Sequence, residues 1–186
     1  RDVRLDANLV NGVLSLQDVS IRDLAGTSAQ VRGTLTGLSG IPAFKGTVTA
    51  VSNDLTGLFR VAGIKSPVPP RMLGRFRFTS ETDATVDRIS LKASLKVAEI
   101  DARLSGQIVG PPNEPRVNLH LKSQHPEMAR LVALFSDGPP GPQAGKITFN
   151  GELSGGMKAL GFALKADLAG GNLSVSGRVE NPSEQM

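Results

Sequence analysis

His120 and His125 are the two imidazoles of the chain, and imidazole is the side chain best suited to moving a proton near neutral pH. His120 falls on the polar side of an alternating run, whereas His125 precedes Pro126 at a helix start. They belong to different elements and are read as solvated. A metal site would need more ligands at binding spacing, but Asp83, Asp87, Glu99, Asp101 and Glu114 are scattered over turns and strand edges. Serines are common, yet none stands in a G-x-S-x-G elbow followed in order by Asp and His. The string Gly106-Gln107-Ile108-Val109-Gly110-Pro111-Pro112 lacks the Lys-Ser/Thr ending of a phosphate-binding loop. Its glycines suit turns and bulges in a curved sheet instead. With no Cys, thiolate chemistry, thiolate metal sites and disulfides are excluded. No catalytic residue, metal ligand or cofactor is expected, and the reading is non-enzymatic.

Arg71, Arg75 and Arg77 cluster around Met72, Phe76 and Phe78, and the sequence pI is about 9.8, so nucleic-acid binding needs testing. Arg75 and Arg77 alternate with Phe76 and Phe78, which puts the rings and the charges on opposite faces. A stacking platform needs both on one face, so no nucleic acid is expected.

The elements that would position these residues are mostly strands. The chain has 186 residues, 21 basic against 17 acidic, a net charge of +4, 21 Gly and 12 Pro. Its 39% hydrophobic content is too high for a disordered segment, and no apolar run approaches the roughly eighteen residues of a membrane span. Strict alternation recurs throughout. Leu91, Ala93, Leu95 and Val97 oppose Ser90, Lys92, Ser94 and Lys96; Val117, Leu119 and Leu121 oppose Arg116, Asn118, His120 and Lys122; Ile147, Phe149 and Leu153 oppose Lys146, Thr148, Asn150 and Glu152. Similar runs hold Val31/Leu35, Phe44/Val48/Ala50, Phe76/Phe78, Leu104/Ile108, Leu160/Phe162/Leu164 and Leu173/Val175/Val179. Asn11-Gly12 and Gly170-Gly171 suit tight hairpins, so successive strands should be neighbours. Proline-rich stretches at 67–71, 110–115 and 137–142 read as surface connections.

Two segments switch to the helical period. Leu55, Leu58, Phe59 and Ala62 follow the capping candidates Asn53 and Asp54; Met128, Leu131, Val132 and Phe135 follow Pro126 at the first helical position and Glu127 in the first turn. The fold expected is mainly β: a curved antiparallel meander of about ten strands with two short amphipathic helices.

The chain also repeats. A shift of 73 pairs Gly33 with Gly106, Gly37 with Gly110, Pro42 with Pro115, Val48 with Leu121, Asp54 with Glu127 and Leu58 with Leu131. A shift of 71 pairs Phe78 with Phe149, Leu91 with Phe162, Leu104 with Val175 and Gly106 with Gly177. One repetitive segment over 1–186 is expected, with units near 5–64, 78–135 and 149–186, the last truncated. Because it starts at Arg1 without a leader, a targeting signal and anchor are expected outside it.

The strings LSLQDVSIRDLAGTSAQVRGTLTG, VTAVSNDLTGLFRVAGI and ITFNGELSGGMKALGFALKADLAGGNLSVSGRV resemble the AsmA-like superfamily, which includes AsmA and TamB. The resemblance covers most of 5–179 through rhythm and composition. It implies a Gram-negative envelope protein anchored in the inner membrane, with a periplasmic β-groove that carries phospholipid towards the outer membrane and supports outer-membrane biogenesis. No family residue with a catalytic role carries over.

Alternation alone fits either a closed β core or an open apolar trough. The resemblance favours the trough. Its lipid-contacting face would hold Leu91, Ala93, Leu95, Leu104, Ile108, Val117, Leu119, Leu121, Phe149, Phe162 and Leu164. The partners expected are phospholipid acyl chains, adjacent repeats of the parent chain and envelope proteins. The alternative is a non-enzymatic structural or interaction module with a closed β core that scaffolds envelope assembly, its strand edges joining neighbouring repeats or partner proteins.

Overall fold

The computed structural model describes residues 2–53, 57, 59, 60, 63, 74–111, 113–133, 145–168 and 170–180. Eleven antiparallel strands form one open, curled sheet in which order along the chain is order in space. They are β1 (Asp2–Val10), β2 (Val13–Leu24), β3 (Thr27–Thr36), β4 (Ala43–Ser52), β5 (Phe76–Ala84) and β6 (Arg88–Val97), then β7 (Ile100–Val109), β8 (Arg116–His125), β9 (Ile147–Gly156), β10 (Ala159–Leu168) and β11 (Gly171–Glu180). Helix α1 (Met128–Ala133) follows β8.

Local chemistry explains the meander. At the β1–β2 turn Val10 pairs with Val13, and Asn11 and Gly12 both take positive φ, 50° and 76°. This is the twist-matched two-residue hairpin, which Asn-Gly adopts at low cost. At the β10–β11 turn Gly170 has φ 93°, while Gly171 already pairs with Leu168 and so belongs to β11 and not to the turn. Residues 110–115 join β7 to β8; residues 67–71 and 137–142 lie outside the described residues.

Strand positions repeat along the chain. β3 and β4 start at 27 and 43, 73 residues before β7 and β8 at 100 and 116; β6 and β7 start at 88 and 100, 71 residues before β10 and β11 at 159 and 171.

Register puts one chemistry on each side. One row runs Leu5, Val19, Val31, Val48, Ser80, Ala93, Leu104, Leu121, Gly151, Leu164, Val175 across all eleven strands. The next row is Ala7, Leu16, Gly33, Gly46, Thr82, Leu91, Gly106, Leu119, Leu153, Phe162, Gly177. Residues directly opposite share a face, so these rows lie together. Neither contains Lys, Arg, Asp or Glu. The charged residues take the intervening positions on the other face.

The two helical segments differ in how much is described. Gly57, Phe59 and Arg60 are helical, whereas Asp54, Leu55, Leu58 and Ala62 lie outside the described residues. The second helix starts at Met128, two residues later than the Pro126 start expected. Glu127 is its cap: Oε1 accepts the Ala129 N–H at 3.2 Å and the Gly145 N–H at 3.2 Å. Phe135 lies outside the described residues.

Candidate functional site

The apolar side of the sheet is the candidate site. All eleven residues expected to contact lipid lie on it, as their pairings require: Leu95 with Ala102, Leu91 with Gly106, Ala93 with Leu104, Ile108 with Val117, Leu104 with Leu121, Leu119 with Leu153 and Gly106, and Phe149 with Ala166. Phe162 and Leu164 continue the Leu119 and Leu121 rows into β10 through Leu153 and Gly151.

This face is not sealed. Leu121 and Phe162 keep 40% exposure and Leu164 keeps 37%. Leu91, Ala93, Leu95, Leu104, Ile108, Val117, Leu119 and Phe149 are half-buried. Among the described residues the buried hydrophobics are Ile147, Ala166 and Ala129. A sheet of eleven strands about 4.8 Å apart, each about 30 Å long, presents an apolar face of roughly 50 by 30 Å. That exceeds the few-hundred-Å² patch usual on a soluble monomer.

One end of the face is floored. Ile147, Ala166, Thr27, Ser52 and His125 are buried on rows near the β2–β3 and β6–β7 turns, and Ser80 is buried farther in, on the row that also holds Leu121 and Leu164. Helical residues dock on those turns. Gly57 sits so close to Ala25 that an added Cβ would lie 2.9 Å from the Ala25 Cβ. At the β6–β7 turn Arg130 of α1 donates to both carboxylate oxygens of Glu99, at 3.2 and 3.3 Å, and Glu99 holds φ 64° beside Ala98 at 49°. Ala25 and Ala98 are 73 residues apart, as are Gly57 and Arg130. The open part of the face is therefore the middle and the opposite end.

Glycines shape its relief. Gly33 and Gly46 oppose each other, and the Phe44 ring covers the gap, with Cε2 3.1 Å from a Cβ built on Gly33. Phe162 likewise roofs Gly177, where a Cβ would sit 2.7 Å from Cζ. Aromatic cover of this kind restores packing that a strand glycine lacks. Gly151 is left uncovered: a Cβ there would meet the Leu121 Cβ at 3.6 Å and the Leu164 Cδ1 at 3.8 Å, ordinary contact distances. It leaves a notch between two half-exposed leucines.

The two histidines separate. His120 is exposed on the polar face, its Nδ1 3.7 Å from Glu152 Oε1. His125 overturns the expectation of a solvated ring, being 2% exposed. Its Nδ1 accepts the Glu127 N–H at 3.1 Å, so the proton sits on Nε2, which donates to the Ala98 carbonyl at 3.0 Å. The ring ties β8 and the start of α1 to the β6–β7 turn. Parity carries the signal that sequence reasoning missed: His120 and His125 are five positions apart, an odd number, so in one strand they must face opposite ways.

The acids stay apart. Asp83 faces Lys45 at 3.9 Å and Asp101 faces Lys96 at 3.5 Å. Asp87 accepts the Thr85 hydroxyl at 2.7 Å, which holds its carboxyl below the usual value. No cluster of three potential metal ligands occurs among the described residues. Phe76 and Phe78 point to the apolar face while Arg77, opposite Val51 and Lys96, lies on the other. Arg71 and Met72 lie outside the described residues. No helix among the described residues is long and apolar enough to cross a membrane. No protein family, curated protein or solved structure matches the chain.

Proposed function

We propose that the chain is a periplasmic segment of an AsmA-like envelope protein, and that its apolar face holds or guides phospholipid acyl chains between the inner and outer membranes. The observation that carries the reading is the uncharged, mostly apolar face: rows crossing eleven strands without a charge, interrupted by the hydroxyls of Ser80 and Thr82, and, between the edge strands, most exposed at Leu121, Phe162 and Leu164 on β8 and β10. Each methylene buried there would contribute about 0.8 kcal/mol, so affinity would be spread over many side chains. The buried end beside α1 would act as a floor, and the Gly151 notch would seat a chain between Leu121 and Leu164. The alternative with a closed β core is disfavoured by the openness of the sheet. Among the described residues β1 and β11 pair on one side only, and this favours the interaction module as the second reading.

Native mass spectrometry with lipid extraction, on protein purified from a bacterial envelope, tests the proposal. Phospholipid should co-purify, and Leu121→Asp should retain clearly less of it while remaining folded, because the half-exposed carboxylate can stay hydrated. A folded wild-type protein free of lipid would sink the reading.

A further inference from the structure

The polar face carries an independent feature. Its directly opposed charges are mostly of opposite sign: Asp2 faces Arg22, Lys45 faces Asp83, Glu81 faces Lys92 and Lys96 faces Asp101. Where like charges do meet, a counter-charge intervenes. Asp6 and Asp18 oppose each other, and Arg4 reaches both, at 3.9 and 3.6 Å. Arg77 and Lys96 oppose each other, and Asp101 takes up Lys96 at 3.5 Å.

Arg103 on β7 and Lys122 on β8 break this rule. They are directly opposite, both exposed, and neither has an ion pair or hydrogen bond among the described residues. Along the same row stand Asn150 and then Lys165, again without an acid. Like charges opposed across a sheet destabilise it, so the arrangement costs stability in the free protein. The two cations flank a cleft of about 270 Å³ whose wall includes the Asn150 amide and, at one end, Asp101, whose carboxylate is taken up by Lys96 at 3.5 Å.

We propose that Arg103 and Lys122 form an oxyanion site for a phosphate-type group, with Asn150 as a neutral donor and Lys165 as an outer cation. The chemistry is complementary. A guanidinium fork matches two oxygens of a tetrahedral anion, an ammonium supplies a compact second charge, and an anion between them turns repulsion into attraction. Inorganic phosphate and the headgroup of an anionic lipid share this chemistry. The site lies on the opposite side of the sheet from the acyl-chain face and does not rest on that reading.

The test uses the whole chain and the Arg103→Gln/Lys122→Gln double variant. Inorganic phosphate should shift the Arg103, Lys122 and Asn150 amide resonances and raise Tm beyond sodium chloride at equal ionic strength. The double variant should bind at least about tenfold more weakly, and its Tm without phosphate should equal or exceed that of the wild type, because repulsion is gone. Phosphatidylglycerol vesicles, against phosphatidylcholine vesicles, identify the source. Sedimentation with the anionic vesicles that the double variant loses assigns a headgroup; a phosphate response without sedimentation assigns a free oxyanion. No phosphate effect beyond chloride and no variant-sensitive sedimentation would overturn the site, as would a double variant that unfolds while Lys122→Gln alone binds phosphate normally.

Discussion

At Gly106 and Gly151 the same residue type does opposite work on the same face, and substitution should separate the two roles. Gly106 has φ 150°, and an added Cβ would run into the Asn118 carbonyl oxygen and lie 2.8 Å from the Leu119 Cα. Gly106→Ala should cost about 3 kcal/mol in denaturant unfolding, from a disallowed backbone plus displaced β8. Gly151 carries no such conformation and has room for a methyl group. Gly151→Ala should stabilise the fold by about 0.5–1 kcal/mol, because a strand glycine forfeits entropy and packing. Gly151→Leu should stay folded yet reduce phospholipid co-purification by filling the notch. His125→Ala should be costly, about 3 kcal/mol, because it opens a cavity and leaves the Glu127 N–H and the Ala98 carbonyl unpaired. Asp18 gives a pH signature. The Gln30 amide at 2.7 Å, aided by Arg4, outweighs partial desolvation and holds the Asp18 carboxyl below its usual value. The fold thus favours the ionised form. Its contribution is fully present above the unfolded carboxylate value and is lost as pH falls through the lowered one. Carboxyl NMR titration of Gln30→Leu should show Asp18 moving back up; an unmoved titration would remove Gln30 as the cause.

At the scale of elements, the alternating pattern made the strands legible, since Ser90–Val97 or Arg116–Lys122 can bury a face only as strands. The Asn11-Gly12 turn and the meander order were legible for the same reason. Three things were not. Cross-strand register depends on connection geometry, so the opposition of Arg103 to Lys122 could not be read through the six-residue connection 110–115. The burial of His125 was hidden because Pro126 invites the reading that a helix has already begun, whereas the strand runs through His125 and Glu127 caps α1. The floored end was hidden because it depends on contacts between helical residues and the β2–β3 and β6–β7 turns, far apart in sequence. Glu127→Ala tests the cap: it should lower stability by about 1 kcal/mol. It should also speed amide exchange at Ala129 and Gly145, whose N–H groups lose their acceptor.

At the scale of the molecule, the described elements hold together almost entirely through consecutive strands, each packed on the one before and the one after. Such a sheet is nearly one-dimensional, and its stability approximates a sum of neighbour terms. A central strand has two partners; β1 and β11 have one each, and their side chains are exposed along almost their whole length. Opening should therefore begin at the edges and cost progressively more towards the middle. Native-state hydrogen exchange should show protection lowest in β1 and β11, higher in β2 and β10, and highest across β5 to β8. A ligand that lies across the apolar face couples strands that touch only through intermediates, so phospholipid should raise protection in several strands together and flatten the gradient. A single protection level shared by β1 and β6 without lipid would mean that the sheet closes cooperatively over its apolar side. The trough would then be a core.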